Sequence, residues 1–199
     1  MKQLLILALL PLHGFAQSIT YTWPGLDANP NSYPIYTNKL FMGRIAQWTG
    51  VEACVYNGSD GREFSSYDWP AIPGAAHVRL SCLAFTALRL DSIIITHRSG
   101  PGGPDKLRVT IADGAFRRTV MNLEGPSADY EARSIPLSLA MAPAMGSEYE
   151  PITILIEPYG GDGGCWELRS VRVVASEQNT FVEGGNAPND GRLVNAGKP

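Results

Sequence analysis

Among the carboxylates in and around strand-like runs are Asp91, Asp105, Asp113, Glu157, Asp162 and Glu167. Cleaving a glycosidic bond takes two carboxyl groups that face one sugar linkage. Most of these lie in turn sequences, where Asp serves the backbone rather than a substrate. Glu157 and Glu167 differ, because each sits in a strand-like run and the two could face each other across neighbouring strands. A nucleophilic serine is not signalled. There is no GxSxG elbow, and Ser99 lies in the sequence RSG. The stretches NGSDG and GGDGG carry oxygen ligands suited to a hard cation, yet lack the spaced carboxylates of a calcium loop. Turn formation explains both, so no metal is assigned. No CxxC or His/Cys spacing suggests zinc, and no cofactor is expected.

The aromatics offer a different chemistry. Trp48, Tyr67, Trp69, Tyr159 and Trp166 lie in or beside loops. A flat ring covers the apolar face of a sugar while neighbouring polar groups take its hydroxyls, and Trp and Tyr combine apolar area with a polar handle. Trp48 and Trp166 are assigned to the core. Trp69 and Tyr159 are expected to be exposed stacking platforms, with Tyr67 and Asp162 beside them. Arg98 and Asp105 flank a central loop and either add hydrogen bonds or pair with each other.

The elements that must position these residues read as strands. Ile93 and Ile95 alternate with polar neighbours, as do Leu107, Val109 and Ile111, and GPGGPD joins the two runs. Alternate side chains on a strand point to opposite faces, so each run offers one apolar face to a core. Gly and Pro in the connection can continue neither run. Residues 18–23, 77–85, 116–121, 133–139, 151–157 and 166–175 have similar character, with Pro136 marking an edge or bulge and a slipped register between Leu168 and Val171 marking another bulge. Residues 24–34 read as a loop; within the ambiguous stretch 40–55, LFMGRIAQW allows a short helix weakened by Gly43 and VEACVY reads as a strand. The pattern as a whole predicts an all-β, two-sheet antiparallel jelly-roll sandwich.

The first 16 residues have the layout of a secretory signal peptide: Lys2, an apolar run from Leu4 to Leu12, then the small residues Gly14 and Ala16. That run is too short to span a bilayer, which takes roughly 20 residues. Residues 17–175 are expected to form the sandwich domain and 176–199 a flexible polar tail or linker. The product is expected to be soluble, secreted, and extracellular or periplasmic, without membrane insertion. The formal charge is −3, and loss of Lys2 with the leader lowers it by one. With no basic block, nucleic acid is not an expected partner; Arg117 and Arg118 read as a solvated strand end. Cys82 reads as a core thiol. Cys54 and Cys165 could pair if the first and last strands are neighbours, closing a loop of about 110 residues worth about 4–5 kcal/mol.

The order HVRLSCLAF, LRLDSIIITHRSGPGGPDKLRVTIADG and ITILIEPYGGDGGCWELRSVRV resembles the carbohydrate-binding-module-like jelly-roll accessory domains of secreted Bacteroidetes proteins. Those domains show an Arg-Arg-Ser-like triplet, a Gly-Pro loop and an Asp-Gly turn, here His97-Arg98-Ser99, Gly100–Pro104 and Asp113-Gly114. Their last strand often carries an acidic residue where this chain has Arg169. The resemblance implies a non-catalytic binding module whose partner is a glycan or cell-surface polysaccharide. A small extracellular glycan-active enzyme and a structural or adhesive surface domain are the alternatives, and neither sequence nor resemblance specifies an oligomeric state. N-terminal sequencing of exported protein is expected to begin at Gln17; recovery of intact Met1 chains only from the cytoplasm would contradict it.

Overall fold

The computed structural model describes residues 16–23, 34–36, 40–53, 64–113, 116–124, 128–141 and 152–177. Residues 1–15, 24–33, 37–39, 54–63, 114–115, 125–127, 142–151 and 178–199 lie outside them, and with these the expected leader, the expected 24–34 loop apart from Pro34, Cys54 and its expected pairing, the NGSDG stretch and the expected tail from residue 178. The described elements are β1 (Gln17–Thr22), β2 (Pro34–Tyr36), β3 (Phe41–Gly43), β4 (Gln47–Thr49), β5 (Glu52–Ala53), β6 (Phe64–Tyr67), β7 (His77–Ala84), β8 (Leu88–Ser99), β9 (Lys106–Asp113), β10 (Phe116–Glu124), β11 (Glu131–Met141), β12 (Ile152–Tyr159) and β13 (Trp166–Glu177). One seven-stranded sheet runs β11-β8-β13-β1-β2, with β6 also on β13 and β5 on β6. One six-stranded sheet runs β10-β9-β12-β7-β3, with β4 also on β7. Every pairing among the described strands is antiparallel, which gives the two-sheet jelly-roll sandwich. Among the described residues, no helix is long and apolar enough to cross a membrane.

The alternating runs find their expected faces. Ile93, Ile95, Leu107, Val109, Ile111, Ile152, Ile154 and Ile156 are all buried in one core. Residues 40–53 form three short strands and no helix, because Phe41, Gly43, Ala46 and Trp48 alternate or pack inward against β7. The strands β2 and β6 lack a sequence signal of their own; Ile35 pairs with Thr20, and Ser66 with Trp166. Register shifts fall between Leu168 and Ser170 on β13 and between Pro136 and Leu139 on β11. Pro136 has no N–H to donate, so an edge strand at a bulge is where it fits.

At one end of the core all four tryptophans of the chain meet. Trp48 lies 6.0, 6.2 and 6.1 Å from Trp23, Trp69 and Trp166, and Trp69 lies 5.5 Å from Trp166 at an interplanar angle of 82°. The expected exposure of Trp69 is therefore corrected: it is 5% exposed. Asp68, at φ 61°, turns the chain so that Trp69 points inward. Its Nε1 donates to Ser66 Oγ at 3.0 Å, and that hydroxyl donates to the Trp166 carbonyl at 3.0 Å. The indole N–H is thus satisfied without reaching solvent, which is what burying a Trp requires.

His97 lies against Trp166 in the same region, fully buried, and its Nδ1 accepts from Trp166 Nε1 at 3.1 Å. Burial pushes the imidazole down to about 4 from its ordinary 6.5, with Glu131 opposing the shift and Arg133 adding to it. Between these values an unfolded chain holds a proton that the folded one does not. Stability should therefore fall as pH drops from about 6.5 towards 4, by up to about 3 kcal/mol. Denaturant unfolding at about pH 7 and about pH 4.5 should show this loss in the native chain and a smaller one in His97→Gln. Equal losses in both would place the sensitivity elsewhere.

Candidate functional site

The inward sides of the sheets are occupied by the core, so a site must lie on an outer face or among the loops. Cross-strand register fixes the outer face of the six-stranded sheet. Leu155 is paired with Arg79 and Thr110, and Thr110 with Thr119. Two residues along, Glu157 pairs with Arg108, which pairs with Asn122. Tyr159 pairs with Lys106 at the end of β12. Residues paired directly across antiparallel strands share a face. Arg79, Lys106, Arg108, Thr110, Thr119, Asn122, Leu155, Glu157 and Tyr159 therefore form one continuous surface.

At its centre is a two-toothed ion pair. Arg108 Nε donates to Glu157 Oε2 at 2.8 Å and Arg108 Nη2 to Oε1 at 2.7 Å. Thr110 Oγ1 adds a longer bond to Oε2 at 3.4 Å. The Glu157 side chain is 3% exposed and that of Arg108 29%. The carboxylate holds the guanidinium proton and raises the Arg108 pKa above its ordinary value, chiefly through these hydrogen bonds. Fixed forks of this kind present a rigid polar platform and lose little freedom on binding.

Tyr159 borders that platform. Its hydroxyl donates to Asn122 Oδ1 at 2.9 Å, reaching over β9, and Lys106 Nζ lies 5.9 Å from its ring centroid. Both contacts hold the ring in place while it stays partly exposed. Beyond Tyr159 the chain must turn sharply, and Gly160 does so at φ 84°. A Cβ there would overlap the Asp105 carboxylate, and one on Gly161 would lie 2.8 Å from Gly103 C. Glycine thus lets the 160–165 and 100–105 loops pack backbone to backbone. Asp162 N and Gly164 N both donate to Gly102 O at 2.8 Å, and Gly160 N donates to Pro70 O at 3.0 Å.

The residues expected to form a site are not all brought together. Tyr159 and Asp105 border the outer face, and Asp162 is exposed on the adjoining loop. Tyr67 ends β6 in the other sheet, and Trp69 is buried. Arg98 is also on the seven-stranded sheet and pairs with Glu167, not with Asp105: its Nη2 lies 2.7 Å from Oε2. Tyr130 donates to the same Oε2 at 2.8 Å, and its ring lies 4.5 Å from Arg98 Cζ and 4.2 Å from Arg169 Cζ. Glu157 and Glu167 accordingly belong to different sheets, each held by its own arginine, and do not face one another. Cys165 is a thiol whose Sγ lies 3.7 Å from Glu167 Oε1, and Cys82 is a buried thiol. Among the described residues, no group of three or more His, Cys, Asp or Glu converges as for a metal ion. The sequence alone does not single out Arg108, Lys106, Asn122 or Arg79. Their alternation on strands is visible in it, but the partner strand that aligns them is not.

No protein-family profile matches the chain, and no curated protein matches it. Among solved structures, it is similar to a point mutant of a family 29 carbohydrate-binding module (TM-score 0.49, 11% identity, 86% of this chain and 100% of that one). A second family 29 module has a TM-score of 0.45 at 12% identity, over 82% of this chain and 90% of that one. A family two carbohydrate esterase from Cellvibrio japonicus matches at 0.40 and 11%, over 82% of this chain but 34% of that one. With each of these scores under 0.5, the fold assignment rests on the strand register above.

The Arg108–Glu157 pair generates a test of its own. Arg108→Met leaves a buried carboxylate without its partner and should cost about 3–5 kcal/mol. The double variant Arg108→Met with Glu157→Leu should recover most of that loss, as measured by denaturant unfolding. A single variant as stable as the native chain would show that the pair is not structural.

Proposed function

We propose that this chain is an exported, non-catalytic glycan-binding module whose site is the outer face of the six-stranded sheet. The observation that carries the reading is the partly exposed Tyr159 ring, tethered to Asn122 and set beside the rigid Arg108–Glu157 fork. A sugar ring has an apolar face and a rim of hydroxyls. An aromatic held in place next to fixed donors and acceptors matches both at low ordering cost. Asp105 and Asp162 lie on the loops that border Tyr159 and extend the polar rim. Tyr67 and Arg98 lie on the other sheet, and Trp69 supports the fold from inside. A leader over residues 1–16, a domain from residue 17 whose last strand runs two residues past 175 to Glu177, and a polar tail beyond it fit an exported module that acts outside the cytoplasm on a glycan or cell-surface polysaccharide.

A paired measurement tests the reading. Tyr159→Ala should keep nearly the native melting temperature and lose about tenfold in glycan affinity. Trp69→Ala should instead lose about 3–5 kcal/mol of stability, as a buried aromatic does. Unchanged affinity in a stable Tyr159→Ala would place the site elsewhere. A screen of neutral and charged glycans that finds no ligand would remove the reading itself.

A further inference from the structure

The chain as a whole is acidic, with a net charge of −3, yet its charge is not evenly spread. On the outer face of the six-stranded sheet the register collects Arg117 on β10, Lys106 and Arg108 on β9, and Arg79 on β7. Glu157 is the carboxylate among the described strand side chains of that face, and Arg108 already neutralises it through two hydrogen bonds; the exposed Asp105 and Asp162 border it on the loops at the Tyr159 end, away from Arg117 and Arg79. Arg79 and Arg117 are exposed and form no ion pair among the described residues. Neighbouring strands lie about 4.8 Å apart, so from β7 to β10 these cations spread across roughly 14 Å.

The field of these groups is felt on the same face. His77 pairs with Thr49 on β4 and, adjoining the Val78–Ile156 pair, lies beside Glu157's end of β12. Its imidazole is held below its ordinary value, first by burial and then by Arg79 and Arg117, while Glu157 pulls the other way. Two exposed guanidiniums, Arg79 on His77's own strand and Arg117 on β10, thus act on the same imidazole.

We infer that the ligand of this face is an anionic glycan, one carrying carboxylates or sulfates along its chain, which the exposed Arg79 and Arg117 read while Tyr159 takes a sugar ring. This inference rests on the glycan-binding reading above and adds the charge of the ligand. Repeated anionic groups on an extended chain meet cations spaced over β10, β9 and β7, with β12 between the last two. Salt should weaken the contact, because exposed charges are screened over about 10 Å at 0.1 M and about 3 Å at 1 M.

The test compares four probes by calorimetry on the exported chain: polygalacturonate oligomers, heparin fragments, cellohexaose and single-stranded DNA. Uronate or sulfate glycan should bind at least about tenfold more tightly than cellohexaose, and more weakly as salt rises from about 50 to about 500 mM. Which of the two binds better identifies the anionic group. The double variant Arg79→Gln with Arg117→Gln should lose about tenfold for the anionic glycan, keep its affinity for cellohexaose and retain the native melting temperature. Cellohexaose binding as tightly as the anionic glycans, with no response to the arginine variant, overturns the charge inference and leaves the glycan reading standing. DNA binding as tightly as the glycans, with the same loss in the arginine variant and none in Tyr159→Ala, overturns it as plain polyanion attraction. Failure of every glycan overturns both.

Discussion

Contact between the two inner faces sets the position of every other group in this sandwich. Side chains on a strand alternate strictly, so a residue turned inward commits its neighbours outward. The packed isoleucines and valines of β8, β9, β12 and β13 leave no freedom in that choice. Tyr21 reinforces the contact from β1, donating its hydroxyl to the Ser81 carbonyl of β7 at 3.3 Å across the two sheets. The tryptophan cluster does the same at one end of the core, drawing on β4, β13, the residue after β1 and the segment after β6. A one-residue slip of β9 or β12 would send Arg108 or Glu157 into the apolar layer. Burying an unpaired charge there is costly enough to forbid the slip.

The outer face inherits this rigidity. Arg108 and Glu157 sit on adjacent central strands whose inner neighbours, Leu107, Val109 and Ile156, are fully buried. The fork is therefore anchored from below as well as by its own bonds. Tyr159 is held less by its own strand than by the loop junction beyond it. The glycine-lined loops stack so closely that the end of β12 cannot swing, and the Pro70 carbonyl closes the corner through Gly160. Rigid strands supply the polar groups, and a compact loop junction supplies the ring.

How much of this was legible in the sequence differs by level. The alternation of Ile93 and Ile95, of Leu107 to Ile111 and of Ile152 to Ile156 identified a core and a sandwich, because burial on one face leaves a period of two. Pro136 and the Leu168–Val171 slip marked bulges for the same reason. The site was less legible. Tyr159 could be singled out from its turn-rich surroundings, but Trp69 shares those surroundings and is buried. Only the reversal at Asp68 and the Ser66 hydroxyl separate the two, and both are tertiary facts. Likewise, Arg98 and Asp105 are near in sequence, yet Glu167, 69 residues from Arg98, is the partner that cross-strand pairing provides. Alternation specifies which face a charge occupies. It does not specify which strand lies alongside.

The gathering of every tryptophan at one internal junction has an optical consequence. Indole emission from this protein reports the joining of the two sheets and little else. The rings are near enough to exchange excitation, so the emission behaves as that of one shared chromophore. Its red shift on unfolding tracks the opening of the sandwich. A molecule settling beside Tyr159 leaves those indoles in unchanged surroundings, so occupancy of the outer face is close to invisible in tryptophan fluorescence.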